Sequence, residues 1–520
     1  MELAEILQNA WAGFSLLWSI QTWLAIAVGV IVGLVVGALP GLNATMAIAL
    51  LSPLTFFLPP LIGIPFLVGI YKGSDLGGFV PAILIRTPGT SSAAATLLDG
   101  YPLAQKGYPN KALQTALTSS VTADCLSDFV LLFSAPFLAI VAISLGVPER
   151  FAIIVLSLAI VGCFIGGSAF KGLVSAAFGL LLASIGVDEV TGSERFLFGY
   201  SILSDGIGLL PSLIGLFALS EVMRMVIPSR KKEETIFIED TKRRKDDYLS
   251  FREFLGLKGV ILRSTGVGTL LGAAPGIGPT SSAFVCYSMA KRVSKHPEEF
   301  GKGTLEGIAA SEAGNSAVSG PNLIPLLTLG IPGSLVAAVL YGAFLAQGLR
   351  PGPELFQQNA PVLYGLIFAL IGANVVAFFF GKGFMGLAKY VIDIPRYILA
   401  PIIIFLAMAG TYAVRNEIFD LWVMVSFGLL GFMMDRYRFP AVPLIIAFIL
   451  GRALETSLIQ SLIIFRGNFW RFFEYPICAV ALGLTVLIIA MSVIRTARGT
   501  RRTLSDQARP KSIGPETEDE

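Results

Sequence analysis

Two stretches of the sequence place a Pro-Gly pair and polar side chains inside long apolar runs. The first reads GALPGLNAT (37–45) and the second reads GAAPGIGPT (272–280). Within lipid such a break frees backbone groups, and freed helix N-termini attract anions whereas unwound carbonyls attract cations. Asn and Thr oxygens are neutral ligands suited to an alkali cation. We therefore predict a coupling-ion site formed by Gly41, Asn43, Thr45, Gly276, Thr280 and Asn315.

A second kind of Pro-Gly break follows each of the first. PAILIRTPGTSS (81–92) aligns with PLLTLGIPGSLV (325–336), so that Thr90 meets Ser334 and the two Pro-Gly pairs coincide. Hydroxyl groups and exposed main-chain donors suit carboxylate oxygens. We predict that these breaks bind a carboxylate substrate through Thr87, Pro88, Gly89, Thr90, Ser91, Ser92, Pro332, Gly333 and Ser334.

Several ionisable side chains lie within or beside the apolar runs, where charge is costly and functional by default. The candidates for charged contacts to substrate or ion are Lys72, Asp75, Arg86 and Glu312, followed by Asp124 and Asp128. For each of them the alternative is a position at the membrane interface or in an internal ion pair. The residue types alone do not decide between these alternatives.

Motifs of the common enzyme classes are missing from the sequence. It has no G-x-x-x-x-G-K-[ST] and no G-x-S-x-G, and its one histidine, His296, lies in the charged run KRVSKHPEEF. The four cysteines have no C-x-x-C spacing and are predicted to be small buried hydrophobes. We predict no catalytic residue and no cofactor, and no metal beyond a possible Na⁺. The coupling ion is expected to be Na⁺ or H⁺.

The elements that must position these residues are membrane helices. Of the 520 residues, 54% are hydrophobic and 14% are charged, with a mean hydropathy of +0.76, whereas soluble proteins carry about a quarter charged residues. Runs of about 20 apolar residues can cross a bilayer, and they recur from Leu17–Leu39 to Pro476–Ile494. We predict an all-α polytopic membrane protein with roughly 10–14 membrane segments, including re-entrant hairpins or helices broken at Pro-Gly.

The order of the motifs indicates an internal duplication. Small residues recur at every fourth position before each first break, at Gly29, Gly33 and Gly37 and again at 264–272. Such a stripe lets another backbone approach closely. Weaker matches follow in the same order along both halves. We predict a first membrane repeat at 1–227, a charged linker at 228–258, a second membrane repeat at 259–494 and a disordered tail at 495–520.

Basic residues indicate how the repeats are oriented. They concentrate in 230–258 and in the tail after Arg495, which the positive-inside rule assigns to the cytoplasm. The connection Pro59–Pro65 has no charge, whereas its counterpart Lys291–Lys302 is basic. Equivalent loops exchange their basic bias when repeats are inserted in opposite orientations. We predict two inverted-topology repeats, with these two loops on opposite sides of the membrane.

At these motifs the sequence resembles the large membrane subunit of tripartite tricarboxylate transporters (TctA-like). The resemblance covers most of the chain, and its most specific parts are GALPGLNATMAIALLSPLTF, GGFVPAILIRTPGTSSAAATLLDGYPLAQKG and EAGNSAVSGPNLIPLLTLGIPGS. It implies a multi-pass permease of the bacterial inner membrane that imports citrate or other tri- or dicarboxylates by ion-coupled symport, with elevator-like alternating access. It also implies two partners, a periplasmic solute-binding protein (TctC-like) and a small membrane subunit (TctB-like), and no nucleic acid.

Two other classes of protein stay open at this point. The chain could be an intramembrane enzyme, or a channel that works without a binding-protein partner. The missing nucleophile and metal motifs argue against an enzyme, and the internal duplication argues for transport. Energised uptake that collapses with a sodium or proton ionophore would exclude both alternatives.

Overall fold

The computed structural model describes residues 3–165, 168–226, 246–392, 394 and 396–507. Within these ranges the regular structure is helical apart from one short antiparallel hairpin. In this hairpin Gly186–Val187 (β1) pairs with Glu194–Arg195 (β2), with Gly186 opposite Arg195 and Val187 opposite Glu194. The predicted all-α class is confirmed. Half of the predicted tail, 508–520, and residues 228–245 of the predicted linker lie outside the described residues. The other half of the tail, 495–507, was predicted to be disordered and instead continues the last helix, Pro476–Gln507.

The helices before the linker form the first half of the molecule. They are α1 Leu3–Leu16, α2 Ile20–Ala38, α3 Ala44–Leu51, α4 Pro60–Ile85, α5 Ala93–Gln105, α6 Pro109–Ser144, α7 Val147–Phe164, α8 Ala169–Ala183, α9 Leu209–Leu213 and α10 Ser220–Val226. A π-helical segment, Ile214–Leu219, joins α9 to α10. Short 3₁₀ turns lie at Ser52–Phe57 and Ser201–Leu203.

The helices from the end of the linker onward form the second half. They are α11 Phe251–Gly256, α12 Lys258–Ala273, α13 Pro279–Val293, α14 Leu305–Ser316, α15 Ile324–Leu329, α16 Leu335–Ala346, α17 Pro353–Gln358, α18 Ala360–Ile392, α19 Arg396–Arg415, α20 Ile418–Arg436, α21 Ala441–Ile464 and α22 Pro476–Gln507. Short 3₁₀ turns lie at Pro297–Glu299, Pro321–Leu323 and Phe469–Glu474. Proline begins α4, α6, α13, α17 and α22, because its fixed φ and missing N–H suit the first helical turn.

Many of these helices can cross a membrane. In the described residues eight helices are long and apolar enough to span, from Ile20–Ala38 to Ala441–Ile464, and four shorter apolar helices accompany them. The longer and shorter helices together fall within the predicted 10–14 segments. Large apolar side chains such as Trp18, Phe133 and Phe405 point outward, as expected for a surface that faces lipid.

The first glycine stripe brings two helix backbones into direct contact. A Cβ added to Gly29 would lie 2.2 Å from the carbonyl oxygen of Phe66, and one added to Gly37 would lie 2.1 Å from that of Ser74. The contact is mutual, since a Cβ on Gly73 would lie 2.3 Å from the Val30 carbonyl oxygen. Helices α2 and α4 therefore pack at a distance that only glycine permits. The predicted close approach is confirmed here.

The second stripe makes the corresponding contact in the second half. A Cβ on Gly268 would lie 2.9 Å from the carbonyl oxygen of Gly314, and one on Gly272 would lie 2.9 Å from the Val318 backbone. Helix α12 thus packs on α14 and on the turn that follows it. The same kind of helix pair appears in both halves, as a duplication predicts.

The two halves interlock instead of forming separate cores. Helix α8 packs on α21, and α20 packs on the continuous α9–α10 helix; likewise α4 packs on α18, and α14 packs on α6. Each of these contacts joins an element of one half to an element of the other. One large hydrophobic cluster accordingly contains residues of both halves, from Ile26 to Ile445. The domain boundaries at 227 and 259 stay a prediction about sequence repeats, because packing does not separate them.

The loop after α13 lies at one end of the molecule. The Asp99 carboxylate, on α5, accepts backbone N–H bonds from Gly301 (2.9 Å), Gly303 (2.7 Å) and Thr304 (3.0 Å). Beside it the end of the linker docks on α6, because Asp247 accepts a backbone bond of 2.8 Å from Lys111. This end therefore carries the basic loop, the linker and the start of α6.

The loop before α4 lies at the opposite end. The side-chain amide of Gln347, just after α16, donates to the Thr55 carbonyl (3.3 Å). Arg350, three residues further on, shares a cavity with Ala142 near the end of α6. Helix α6 has 36 residues and is therefore about 54 Å long. The loops at 58–60 and 294–304 are consequently at opposite ends, the arrangement that inverted repeats require.

Candidate functional site

The first break of each half has the same backbone turn. Gly41 and Gly276, at equivalent positions, both adopt positive φ, of +97° and +90°. In the first half Leu42 N–H donates to the Leu39 carbonyl (3.1 Å), and in the second half Ile277 N–H donates to Ala274 (3.4 Å). Only glycine adopts such φ values without strain. The shared Pro-Gly is therefore a conformational requirement in both halves.

The second break of each half is also built alike. Helix α4 ends at Arg86 with φ +60°, and α15 ends at Gly330 with φ +72°. The next N–H reaches back in both cases: Thr87 donates to Pro81 (3.3 Å), and Ile331 donates to Pro325 (3.1 Å). These are Schellman-type caps, which satisfy the last carbonyls of a helix.

All four breaks meet in one region. In the first half a Cβ on Gly89 would lie 2.0 Å from the Gly37 carbonyl oxygen, so the two breaks touch through backbone. In the second half Gly276 N–H donates to the Gly333 carbonyl (2.9 Å). A hydrogen bond of 2.9 Å between the hydroxyls of Ser91 and Thr280 joins the two halves. The structure thus brings together segments of the predicted ion site and of the predicted substrate site.

Several predicted ligands already make local hydrogen bonds. The Asn43 side chain accepts from Met46 N–H (3.0 Å) and the Ser334 hydroxyl from Ala337 N–H (3.2 Å), so both cap helices. Thr90 and Ser92 share a hydrogen bond of 3.2 Å, and the Thr87 hydroxyl donates to Ile85 (3.4 Å). These oxygens keep spare acceptor capacity, and their binding roles stay predictions.

The remaining predicted ligands differ in exposure. Gly41, Asn43, Arg86 and Ser91 are exposed, whereas Thr45 is buried on α3. The guanidinium of Arg86 lies 5.9 Å from the centre of the Tyr101 ring, within the range of a cation–π contact. Thr45 is therefore inside the protein and not on the exposed surface formed by the other predicted ligands.

A buried ion network lies beside the breaks. The Lys72 ammonium donates to Asp124 (2.6 Å), to Asp128 (3.0 Å) and to the Ser319 hydroxyl (2.9 Å). Asn374 donates to the same Asp128 carboxylate (2.8 Å). All five residues are at most 6% exposed. Of the two alternatives for Lys72, Asp124 and Asp128, the structure shows the internal ion pair.

Two further carboxylates lie near this network without a basic partner. Glu312 accepts from the hydroxyls of Thr96 and Ser120, the latter at 2.7 Å. Asp75 interacts electrostatically with Lys72 and with Glu312. Lys72 forms ion pairs with Asp124 and Asp128 and interacts electrostatically with Asp75, whereas Glu312 interacts with no cation among the described residues. Carboxyl groups therefore outnumber basic side chains in this region.

Two buried amide oxygens close to the breaks have no hydrogen-bond donor among the described residues. Asn315 Oδ1 and Asn322 Oδ1 both lack a donor, and their side chains are 2% and 1% exposed. Asn322 Oδ1 points at the fourth break, since it lies 2.6 Å from where a Cβ on Gly333 would be. Buried oxygens are normally paired, so these two are available to a ligand. Both residues lie in SEAGNSAVSGPN, whose polar side chains are candidate ligands by residue type, but the predicted ion site includes Asn315 and not Asn322.

A cavity of about 1050 Å³ opens at the end of the molecule opposite the linker. Its charged lining residues include Arg150, Arg350, Arg452 and Glu354, and Leu329–Ile331 of the fourth break also line it. This cavity was not predicted from the sequence. Arg150 and Arg350 are far apart in sequence, and no motif indicates that they share a wall.

The docked linker contains one strongly shifted acid. Partial burial by itself raises the pKa of Glu253, but the hydrogen bonds from Lys111 and Ser250 outweigh it and lower this pKa to about 2. The Glu253 side chain also forms a capping box with Ser250 at the start of α11. The linker thus begins the second half from a fixed position on α6.

Groups typical of metal and enzyme sites do not converge in the part of the chain described. His296 is exposed and lies 3.5 Å from Glu298, and no three His, Cys, Asp or Glu side chains there form a metal-binding group. All four cysteines are free, two of them buried and two half-buried.

Comparison with known proteins identifies the family. Residues 23–446 match the model of the tripartite tricarboxylate transporter TctA family. A protein from Agrobacterium vitis, described as an uncharacterized 52.8 kDa protein in the TAR-I ttuC′ 3′ region, is 39% identical over 466 residues, 89% of this chain and 92% of the relative. A second, described as an uncharacterized protein in the TAR-II ttuC′ 3′ region of the same organism, is 36% identical over 234 residues, 45% of this chain and 97% of that relative.

No solved structure matches the chain. The family match nevertheless covers both pairs of breaks and most of the helices that pack around them. The chain therefore belongs to the tripartite tricarboxylate transporter TctA family and is a multi-pass membrane component of such a transporter.

Proposed function

We propose that this chain is the permease subunit of a binding-protein-dependent secondary transporter that imports di- or tricarboxylates across the bacterial inner membrane. A periplasmic solute-binding protein (TctC-like) delivers the substrate, and a small membrane subunit (TctB-like) completes the complex. One observation carries the proposal: four helix breaks, two from each half, meet through the Gly37–Gly89, Gly276–Gly333 and Ser91–Thr280 contacts. Broken helices that meet between repeated halves are the usual construction of transporter binding sites.

The breaks supply groups for both a substrate and an ion. Exposed N–H groups and hydroxyls at Ser91 and Thr280 suit carboxylate oxygens. We infer elevator-like alternating access, in which the helices that carry the breaks move against the rest of the molecule and open the site first to one side and then to the other.

An excess of carboxyl groups over basic groups supports cation coupling. Asp124 and Asp128 pair with Lys72, whereas Glu312 has no cation among its described partners, and a buried charge that lacks a partner is strongly unfavourable. A bound Na⁺ or added protons would neutralise the unpaired carboxyl groups. Asn322 offers a free oxygen next to the fourth break and Asn315 offers another on α14, and hard oxygen ligands suit an alkali cation. We place the coupling ion between Asp75 and these two amides.

Uptake into proteoliposomes tests the transport function. The purified complex and its cognate binding protein are given radiolabelled citrate, L-tartrate or succinate under a Na⁺ gradient or an H⁺ gradient. We expect one of these acids to accumulate under one of the gradients, and the matching ionophore to abolish the accumulation. Equally fast uptake without any gradient would identify a channel. Full-rate uptake at micromolar substrate without the binding protein would contradict the proposal that this chain needs such a partner.

A pair of acid variants tests the ion site. Asp75→Asn removes one carboxyl group from the proposed ion site, so the ion concentration for half-maximal uptake should rise by about tenfold or more. Glu298→Gln is the control, because Glu298 is an exposed loop residue far from the breaks. An unchanged ion requirement in folded Asp75→Asn would exclude Asp75 from the coupling site.

A further inference from the structure

The cavity opposite the linker is built by both halves of the molecule. The first half contributes Arg150 on α7 and the loop around Asp205, and the second half contributes the α16–α17 connection and α21. Its volume of about 1050 Å³ is at the upper end of the usual range for small-molecule sites, about 300–1,000 Å³. The cavity therefore has room for a small hydrated anion.

The arginines of this cavity differ in how they are held. Arg452 donates to the Asp205 carbonyl and lies 3.9 Å from the Glu189 carboxylate. Arg150 and Arg350 are exposed, and their guanidinium groups make no ion pair or hydrogen bond with any described residue. A guanidinium presents a planar set of donors that matches a carboxylate. Two such groups on walls from different halves can each take one carboxylate of the same molecule.

The acidic residues of the lining do not occupy these two arginines. Glu189 lies 3.9 Å from Arg452, and neither Asp205 nor Glu354, the second residue of α17, forms an ion pair in the described residues. Three arginines and three acids line the cavity, so an anion binds there through the two unpaired guanidinium groups and not through a net positive charge.

The cavity reaches the fourth break directly. Leu329, Gly330 and Ile331 line it, and a Cβ on Gly330 would lie 2.8 Å from the Pro351 carbonyl oxygen. The loop that carries Arg350 therefore rests on the break itself. Because the linker and the basic loop lie at the other end, the positive-inside rule assigns the cavity to the external side.

We propose that this cavity is an external vestibule in which a polycarboxylate is first bound, with Arg150 and Arg350 each holding one carboxylate before the substrate moves to the breaks. The proposal rests on the function proposed above and adds a second binding position to it. A monocarboxylate engages one arginine only and binds more weakly, so the vestibule selects for di- and tricarboxylates.

Protection of a single cysteine tests the vestibule without requiring transport. Leu345 lines the cavity and is 39% exposed, so Leu345→Cys should react with an impermeant maleimide. Labelling of the protein without the Leu345→Cys change measures any reaction of the four native cysteines. Citrate should slow the labelling, and acetate at the same concentration should not. In Arg150→Gln and Arg350→Gln the citrate concentration for half-protection should rise roughly 10- to 100-fold, the loss of one charge-assisted contact.

Uptake measurements on the same variants complete the test. Arg150→Gln and Arg350→Gln should raise the KM for the transported polycarboxylate by a similar factor, and Arg150→Lys should recover part of the loss. Arg471→Gln is the matched control, because Arg471 pairs with Glu474 outside the cavity. Normal KM and normal protection in both folded Gln variants would overturn the vestibule. If the wild-type complex transports none of the acids under either gradient, the proposed function fails instead, whatever the labelling shows.

Discussion

The two halves of this protein share a backbone and differ in chemistry. The turn at Gly41 has φ +97° and its counterpart at Gly276 has φ +90°, and the caps after Pro81 and Pro325 are made by the same type of bond. The side chains at the same positions diverge: where the first half has Lys72 the second has Ser316, and where the first has Arg86 the second has Gly330. The duplication therefore preserved the geometry of the breaks, while ionisable side chains became unequally distributed between them.

This inequality extends to the contacts of the breaks. In the first half Gly89 faces a backbone carbonyl, that of Gly37, whereas in the second half Gly333 faces the side chain of Asn322. A backbone contact cannot adjust without moving a helix, but a side chain can rotate. The first half should thus be the more rigid scaffold, and the second half the part that offers free ligand oxygens.

The largest effect is expected at Lys72. Lys72→Met leaves two buried aspartates without their cation, which should destabilise the protein by about 3–5 kcal/mol. Its counterpart Ser316 is buried with no partner for its hydroxyl in the described residues, so Ser316→Ala should be neutral or slightly stabilising. Thermal unfolding of the detergent-purified variants measures both. The double variant Lys72→Met/Asp128→Asn should recover part of the stability that Lys72→Met loses. If Lys72→Met is as stable as the wild type, the ion network has no structural role.

The next largest effect distinguishes the two glycine contacts. Gly89→Ala places a Cβ 2.0 Å from a backbone oxygen, whereas Gly333→Ala places it 2.6 Å from the Asn322 side chain. We expect a loss of about 3 kcal/mol for Gly89→Ala and about 1 kcal/mol for Gly333→Ala. Gly278→Ala is the control, because that position has no atom within 4 Å of an added Cβ and an ordinary φ of −85°. Equal losses at Gly89 and Gly333 would remove the proposed difference in rigidity.

A smaller effect is expected for the hydrogen bond that joins the halves. Ser91→Ala and Thr280→Val each delete one hydroxyl of a 2.9 Å pair, and the double-mutant cycle should give a coupling of about 0.5–1.5 kcal/mol. Thr45 is the counterpart of Thr280 in the first half, and Leu335 is the counterpart of Ser91 in the second half. Leucine has no hydroxyl and cannot form this bond, so Thr45→Val and Leu335→Ala should show no coupling. The ion and substrate concentrations needed for uptake by Ser91→Ala and Thr280→Val show whether either hydroxyl also binds a ligand.

The smallest effect concerns the left-handed cap. Arg86 adopts φ +60° without being glycine, which costs about 1–2 kcal/mol. Arg86→Gly relieves this cost but loses more chain entropy on folding, so a net gain of about 0.5 kcal/mol is expected. If Arg86→Gly is more stable and transports normally, Arg86 is not a substrate contact. Slower uptake in a more stable protein would instead give the arginine a functional role.

The class of protein and the location of the breaks could be predicted from the sequence. Apolar runs and Pro-Gly pairs are local features, and Gly37 and Gly89 were identified because helix breaking and close packing depend on residue type alone. The repeat of Gly41 at Gly276 was visible for the same reason. Asn322 could not be distinguished from the other polar residues of SEAGNSAVSGPN, because its free oxygen is evident only next to Gly333.

By itself the sequence determined the all-helical membrane class, the duplicated order of the breaks and the need for glycine at their turns. These features follow from the lipid environment of the helices and from the backbone conformations that each residue type permits. Only the tertiary structure decided that Lys72 pairs with Asp124 and Asp128, that Ser91 meets Thr280, and that Arg150 and Arg350 share a cavity. The partners in each case are separated by tens to hundreds of residues. Their contact depends on how the helices of the two halves interlock, and no local pattern in the sequence encodes that packing.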